Sequence, residues 1–492
     1  MSLLLAVPAA VGLWLVTAGR ALPVGRARAT AAVGAVLALV LAVATALTAP
    51  SVDRPWLPEL DVRFSFGVDG IAVPLVLLTA VIGVLVVAHA WVDVPEGGTP
   101  ATFLGCLLLV EAGALATFTA RDAVMFFLAF ELVLVPMWVL ISRYGDRHDP
   151  RARTDAGHRF ILYTAVGSTL MLVGILALVA SAGTSDLREL ADGAGAALPP
   201  GRQLLVAILL TLGLAVKVPV FPLHTWLPPA HTTAPTAGSV LLAAVLLKMG
   251  TYGLVRLPVA TVPDGFAAIS PALAVAGVVG ILWGGLVCLV ERDLKRLIAY
   301  SSVAHMGFVV LALAAGTETG LQAALFANIA HGVVSALLFV LVGGLKQRWG
   351  SADLAVVRPA LRETSPRLGF VLVTGLAATL GLPGLAGFWG EVLAVYAAWD
   401  PAPDRPRVVF VACAVGAAIG AALAAAYALR VARLVWVGDE PDPEGENPTP
   451  DAVGVEAGVL GALAAAVVLL GVLPGPLLAV TAAASAAIGG AP

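Results

Sequence analysis

Apolar residues run along this chain in blocks of about 20, parted by short polar connections, and a helix of that length crosses the hydrocarbon core of a bilayer. Fourteen blocks are read, over residues 2–19, 29–49, 69–92, 101–120, 122–142, 160–182, 203–222, 237–257, 267–290, 296–315, 321–345, 369–398, 408–436 and 453–486. The longest polar connections hold only about 20 residues, too few for a soluble domain. The first basic residue, Arg20, follows the first apolar block, an order that predicts a first transmembrane helix and not a cleaved leader.

Two blocks are interrupted by residues that a helix interior rejects. In TLGLAVKVPVFPLHTWLP the breakers are Pro219, Pro222 and Pro228, and in LGLPGLAGFWGEVLAVY they are Pro383 and its neighbouring glycines. Each break lies beside a titratable residue, Lys217 and Glu391, and these are 174 positions apart. Paired broken helices are the sequence pointer to inverted-repeat transporters, where irregular backbone lines a site at mid-membrane. The predicted fold is an all-α polytopic membrane protein of about 14 transmembrane helices, with two inverted five-helix repeats that each contain a broken helix. Its expected divisions are helices 1–3 over residues 1–100, a first repeat (helices 4–8) over 101–257, a second (helices 9–13) over 258–438, and a C-terminal helix over 439–492.

Composition supports this reading, because 12% of residues are charged where a soluble chain carries about 25%. The net charge of −3 gives no nucleic-acid signal. Cys106, Cys288 and Cys413 stand singly inside apolar blocks, without the spacing of a disulfide framework, zinc site or iron–sulfur cluster. No nucleotide-binding motif follows a strand-like run, so no cofactor and no metal is expected on this chain. Of the 28 basic residues, 18 fall in odd-numbered connections and eight in even-numbered ones. The bias places the odd connections in the cytoplasm and, with an even helix count, both termini outside.

The remaining two basic residues are Lys217 and Lys248, inside apolar blocks. The chain has only four lysines against 24 arginines, so the choice of residue carries information. Arginine does not deprotonate in proteins, whereas a desolvated lysine releases its proton. A charge at the bilayer centre costs roughly 2.5–3.5 kcal/mol even on the gentlest scale, so such residues have a role or a partner. Glu131 in FFLAFELVLVPMWVLI and Glu391 are the matching carboxylates, with Glu111 in LLLVEAGAL a further one. His305 in SSVAHMGF and His331 in FANIAHGVV are candidate relays between them. Each has a plainer reading. Glu131 and Lys217 could lock two helices as a static pair, Lys248 could snorkel from a helix end, Glu391 could cap one, and the histidines and Glu111 could be packing groups. His224 and His231 read as loop or interface residues, and Arg121 with Asp122 as a turn.

The stretch KVPVFPLHTWLPPAHTTAPTAGSVLLAAVLLKMGTYGLVR over residues 217–256 closely resembles subunit M of bacterial respiratory complex I, an antiporter-like family equivalent to mitochondrial NADH dehydrogenase subunit 4. FFLAFELVLVPMWVLI, DLKRLIAYSSVAHMGFV, HGVVSALLF and LPGLAGFWGE resemble it in the same order, so the resemblance covers about residues 65–438. Departures lie at loops: Glu291 and Arg292 before DLKR, LKQRWGSADL after the eleventh helix, and Pro229 where an Asp is common. The resemblance implies a proton-translocating membrane-arm subunit of NADH-quinone oxidoreductase in a bacterial plasma membrane, beside L-like and N-like subunits. Flavin, iron–sulfur clusters and quinone would then belong to partner subunits. It further implies that Glu131 and Lys217 form a switchable pair, that Lys248 passes a proton across the centre through His305 and His331, and that Glu391 delivers it outside. A Mrp-type cation/proton antiporter subunit, a membrane-bound hydrogenase subunit and a non-transporting scaffold are the competing classes.

Overall fold

The computed structural model describes residues 1–358, 360–438 and 449–489. Its helices are α1 (Ser2–Thr17), α2 (Val24–Thr48), α3 (Ala72–His89), α4 (Pro100–Thr119), α5 (Ala123–Tyr144), α6 (Pro150–Ala182), α7 (Pro200–Lys217), α8 (Leu227–Thr233), α9 (Thr236–Val259), α10 (Pro263–Val290), α11 (Leu294–Ala314), α12 (Glu318–Trp349), α13 (Pro366–Thr379), α14 (Ala386–Trp399), α15 (Arg407–Val437), α16 (Gly454–Val472) and α17 (Gly475–Gly489). Among the described residues twelve of these are long and apolar enough to cross a membrane. The other two predicted blocks are the 16-residue α1 and the interrupted α13–α14 pair. The last block is not continuous either: it divides after Leu473 into α16 and α17. Within the C-terminal division expected over 439–492, residues 439–448 and 490–492 lie outside the described residues.

Helix starts follow local chemistry. Proline opens α4, α6, α7, α10 and α13, where its missing N–H would have no intrahelical partner. Side-chain oxygens of Thr99, Asp149, Asp293 and Thr317 accept from the first free amides of α4, α6, α11 and α12. Asp122 does the same for α5, but its backbone is extended and bridge-paired, so Arg121 and Asp122 are not the simple turn expected from the sequence. Asp122 also accepts from the Arg63 amide and from Ser185 Oγ, so this connection ties down two further segments. One of these is a hairpin that hydropathy does not reveal, with antiparallel strands β1 (Val52–Leu57) and β2 (Val62–Phe66) on one end of the bundle.

Lipid offers no hydrophobic drive for helix pairing, so close backbone approach at small residues does that work. Three pairs show it. A Cβ on Gly213 of α7 would stand 2.6 Å from the Gly167 carbonyl of α6, and one on Gly167 would stand 2.8 Å from the Gly213 carbonyl. Gly12 of α1 with Gly105 of α4, and Gly277 of α10 with Gly307 of α11, repeat the reciprocal contact. Replacing Gly307 with Leu forces α10 and α11 apart, and overpacking of this kind costs about 1–3 kcal/mol. A lower thermal midpoint of the solubilised protein is expected, and an unchanged midpoint would contradict the packing.

The helices sort by burial. α4, α9, α11 and α12 are enclosed almost entirely by other helices, whereas α2, α6 and α15 keep about two thirds of their apolar windows outward. The enclosed set carries Glu111, Lys248, His305 and His331.

Candidate functional site

Both predicted breaks are present. α7 ends on Lys217, the chain turns through Val218–Trp226, and α8 resumes at Leu227. Lys217 therefore sits at a helix C-terminus, where the backbone dipole favours a cation. Its side chain is only 3% exposed, and its Nζ lies 5.0 Å from the ring centre of Phe130 and 5.9 Å from that of Phe160. The ammonium is thus held by aromatic faces of α5 and α6. At the second break Gly381 and Gly384 adopt positive φ, which a glycine tolerates, and α14 begins at Ala386 with Glu391 in its second turn.

Glu131 is one position from Phe130 on α5, yet it is not ion-paired with Lys217. Its Oε1 accepts a hydrogen bond from Ser168 of α6, and its side chain is half-buried. The expected switchable pair is seen here with carboxylate and ammonium apart, each held by a different neighbour.

Lys248 is fully buried on α9, directly after a π-helical turn at Leu242–Leu246. The wider turn leaves the Ala243 carbonyl facing the side chain, and Lys248 Nζ donates to it at 2.9 Å. The same Nζ meets His331 Nδ1 of α12 at 2.5 Å. Snorkelling is excluded by this enclosure. His331 and His305 of α11 have ring centres 5.9 Å apart, and His305 Nδ1 lies 2.9 Å from Glu391 Oε1. A cavity of about 30 Å³, bordered by both histidines, Thr379 and Glu391, is of the size of one water. Glu391 is engaged by a histidine and is not a helix cap. Four titratable groups from four helices thus stand in one continuous line. Glu111 stands apart from it: fully buried on α4, its carboxyl packs into the space left by Gly83 of α3, with neither oxygen hydrogen-bonded within the protein.

Two members were not legible as such. Lys295, read as a cytoplasmic loop charge, is buried at the start of α11 and donates to the Ala234 carbonyl at 2.5 Å. It lines a cavity of about 530 Å³ together with Asp93, Asp146, Thr236, Gly343 and Lys346. Burial alone would raise the Asp146 carboxyl, but hydrogen bonds from Lys346 and from the His148 amide and ring hold it well below the usual carboxylate range. His231 is not a loop residue: it is fully buried, stacked on Phe339 with ring centres 4.4 Å apart, and neither ring nitrogen has a partner within the protein. Phe339 is eight residues from His331 along α12, about 12 Å at the helical rise. His231 so lies between the cavity and Lys248. The lysine scarcity that marks Lys217 and Lys248 also marks Lys295, which is one of only four. His224 stacks on Phe221 beside the first break.

No group of three or more histidine, cysteine or acidic side chains among the described residues is arranged to hold a metal ion. An enclosed row of lysine, histidine and carboxylate between two interrupted helices is the arrangement of an antiporter-like membrane protein. Residues 120–419 match the family described as "NADH:quinone oxidoreductase/Mrp antiporter, TM", and the chain belongs to that family. It is 40% identical over 337 residues to the NAD(P)H-quinone oxidoreductase chain 4 1 of Synechococcus sp. strain JA-2-3B'a(2-13), covering 68% of this chain and 62% of that relative's own length. The chain 4 1 protein of Microcystis aeruginosa is 36% identical over 423 residues, or 85% of this chain and 78% of that one. Among solved structures, a chain of respiratory complex I from Thermus thermophilus with bound NADH superposes with a TM-score of 0.85 at 31% identity, over 99% of both chains. A chain of the Mrp complex from Dietzia sp. DQ12-45-1b also gives 0.85, at 25% identity over 98% of this chain and 52% of that one.

Proposed function

We propose that this chain translocates protons as a membrane-arm subunit of an NADH:quinone oxidoreductase. The observation that carries the reading is the unbroken row Lys248–His331–His305–Glu391, because each member is within direct or one-water reach of the next. Lys217, held on aromatic faces with Glu131 withdrawn toward Ser168, is the loading residue. Approach of the carboxylate favours the ammonium, and its withdrawal favours release of the proton toward Lys248. Lys248 hands the proton to His331, the water-sized cavity bridges to His305, and Glu391 passes it outward. The two broken helices, one in each five-helix repeat (residues 101–257 and 258–438), supply free backbone groups along the route. The cavity lined by Lys295 gives water access from the side carrying most basic connections, which is the cytoplasm in this reading, with both termini outside a bacterial plasma membrane.

Moving one charge against 100 mV costs about 2.3 kcal/mol, so coupling to a redox reaction is required. In this reading flavin, iron–sulfur clusters and quinone reside on other subunits, and L-like and N-like antiporter subunits flank the chain. The relatives named for NAD(P)H-quinone oxidoreductase, at 36–40% identity, favour this over a Mrp-type antiporter. Glu391→Gln keeps shape and hydrogen bonding but holds no negative charge. In the assembled enzyme reconstituted into vesicles, it is expected to lower NADH-driven acidification by at least about tenfold, in the range of lost acid–base groups. Unaltered pumping would overturn the assignment, and pumping that depends on a sodium gradient and not on NADH would favour the antiporter.

A further inference from the structure

Away from the proton route, an apolar groove of about 260 Å³ opens on the outer surface where α2, α3 and α16 meet. Its walls are Ala32, Ala35 and Val36 of α2, Val84, Val87 and Ala88 of α3, Trp91 just beyond α3, and Val455 at the start of α16. Val36, Trp91 and Val455 remain 42–48% exposed, so the groove faces the membrane and not the bundle core. It is lined by small side chains on the α2 wall, which leave room for a hydrocarbon chain between helices.

What stands over it is charged. Arg28 is in the second turn of α2, four positions before Ala32 and seven before Ala35, and so on the same helical face. Its Nε is buried and has no hydrogen-bond partner among the described residues. The Trp91 indole borders the groove at the matching end of α3, and tryptophan collects at the membrane–water boundary. Arg20, Arg26 and Arg28 crowd this end of α2, with no acidic residue between Met1 and Asp53. A guanidinium at the boundary, an unsatisfied donor and an apolar slot running inward match the two parts of a lipid, an anionic headgroup and one acyl chain.

We infer that this groove binds one anionic phospholipid, its phosphate on Arg28 and an acyl chain between Ala32, Ala35 and Val87. The site depends on charge complementarity to Arg28 and not on the general basicity of the helix end. Arg26 supplies the control, because it projects from a different face of α2 and is exposed.

The assembled enzyme, purified in mild detergent, is tested by counting phospholipids that remain bound, using native mass spectrometry and lipid extraction. Arg28→Gln is expected to lose one anionic phospholipid per complex, and Ala32→Phe, which fills the slot, is expected to lose the same one. Arg26→Gln is expected to keep it. An unchanged anionic count in Arg28→Gln overturns the inference, as does an equal loss in Arg26→Gln. Arg28→Gln adds no bulk, so it decides the question if Ala32→Phe fails to assemble. A photoreactive group at Ala32 gives an independent reading: crosslinking to lipid supports the site, and crosslinking to a neighbouring subunit overturns it.

Discussion

Replacing Lys248 with Met in the assembled enzyme is expected to reduce NADH-driven proton translocation by at least about tenfold, the lower range for a lost proton-transfer group. The enzyme should still assemble. Met fills the same unbranched volume, and removing a buried ammonium leaves only the Ala243 carbonyl and His331 Nδ1 unpartnered. Arginine is not expected to rescue, for two reasons. The guanidinium does not release a proton, and the site beside the π turn and Met306 is fully enclosed, with no room for a planar fork. The measurement is acidification of vesicles per NADH oxidised. Normal pumping in Lys248→Met would remove the centre of the row and with it the proposed route.

Lys217→Arg separates titration from charge. A static cation that merely locks α7 against α5 and α6 would be replaced well by arginine, which binds aromatic faces at least as strongly as lysine. A proton carrier would not. The expected result is a loss of pumping of about tenfold or more with normal assembly, on the same grounds as for Lys248. Near-normal pumping in Lys217→Arg would make the residue structural. Comparison with Ser168→Ala is informative, because that change frees Glu131 from its hydrogen bond and leaves both charges in place. If withdrawal of Glu131 promotes release from Lys217, Ser168→Ala should shift the pH dependence of pumping, while Lys217→Arg lowers pumping at every pH.

The parts of this molecule that were legible in the sequence are those governed by short-range rules. Twenty apolar residues make a span, Pro219, Pro222 and Pro383 break helices, and rare lysines in apolar blocks mark Lys217 and Lys248. These positions needed no knowledge of neighbours. Contacts between distant segments were not legible. The row Lys248–His331–His305–Glu391 depends on the mutual rotation of α9, α11, α12 and α14, which hydropathy does not encode. The π turn at Leu242–Leu246 leaves no residue signature, since LAAVL would form an ordinary α-helix equally well. Lys295 was misread because it follows Asp293 in a polar connection, and only the packing of α11 on the segment around Ala234 buries it. The β1–β2 hairpin was not legible because Pro55 interrupts the first strand, and Asp122, which anchors the second, lies in another connection. Separation of Glu131 from Lys217 is likewise a matter of which neighbour the carboxylate chooses, Ser168 in place of the lysine.

α12 is 32 residues long and every position in its apolar window is covered by other helices, yet it is as greasy as the outward-facing helices around it. Nothing in the finished bundle demands so much hydrocarbon, since packed interiors tolerate polar side chains that find partners. The demand comes from biosynthesis. A helix must partition into the bilayer by itself before its future neighbours α14, α16 and α17 have been translated. His331 and Asn328 are then briefly exposed to lipid, and the leucines, valines and phenylalanines of α12 outweigh them. Its apolarity is a passport for insertion, and only later the wall of the proposed proton path.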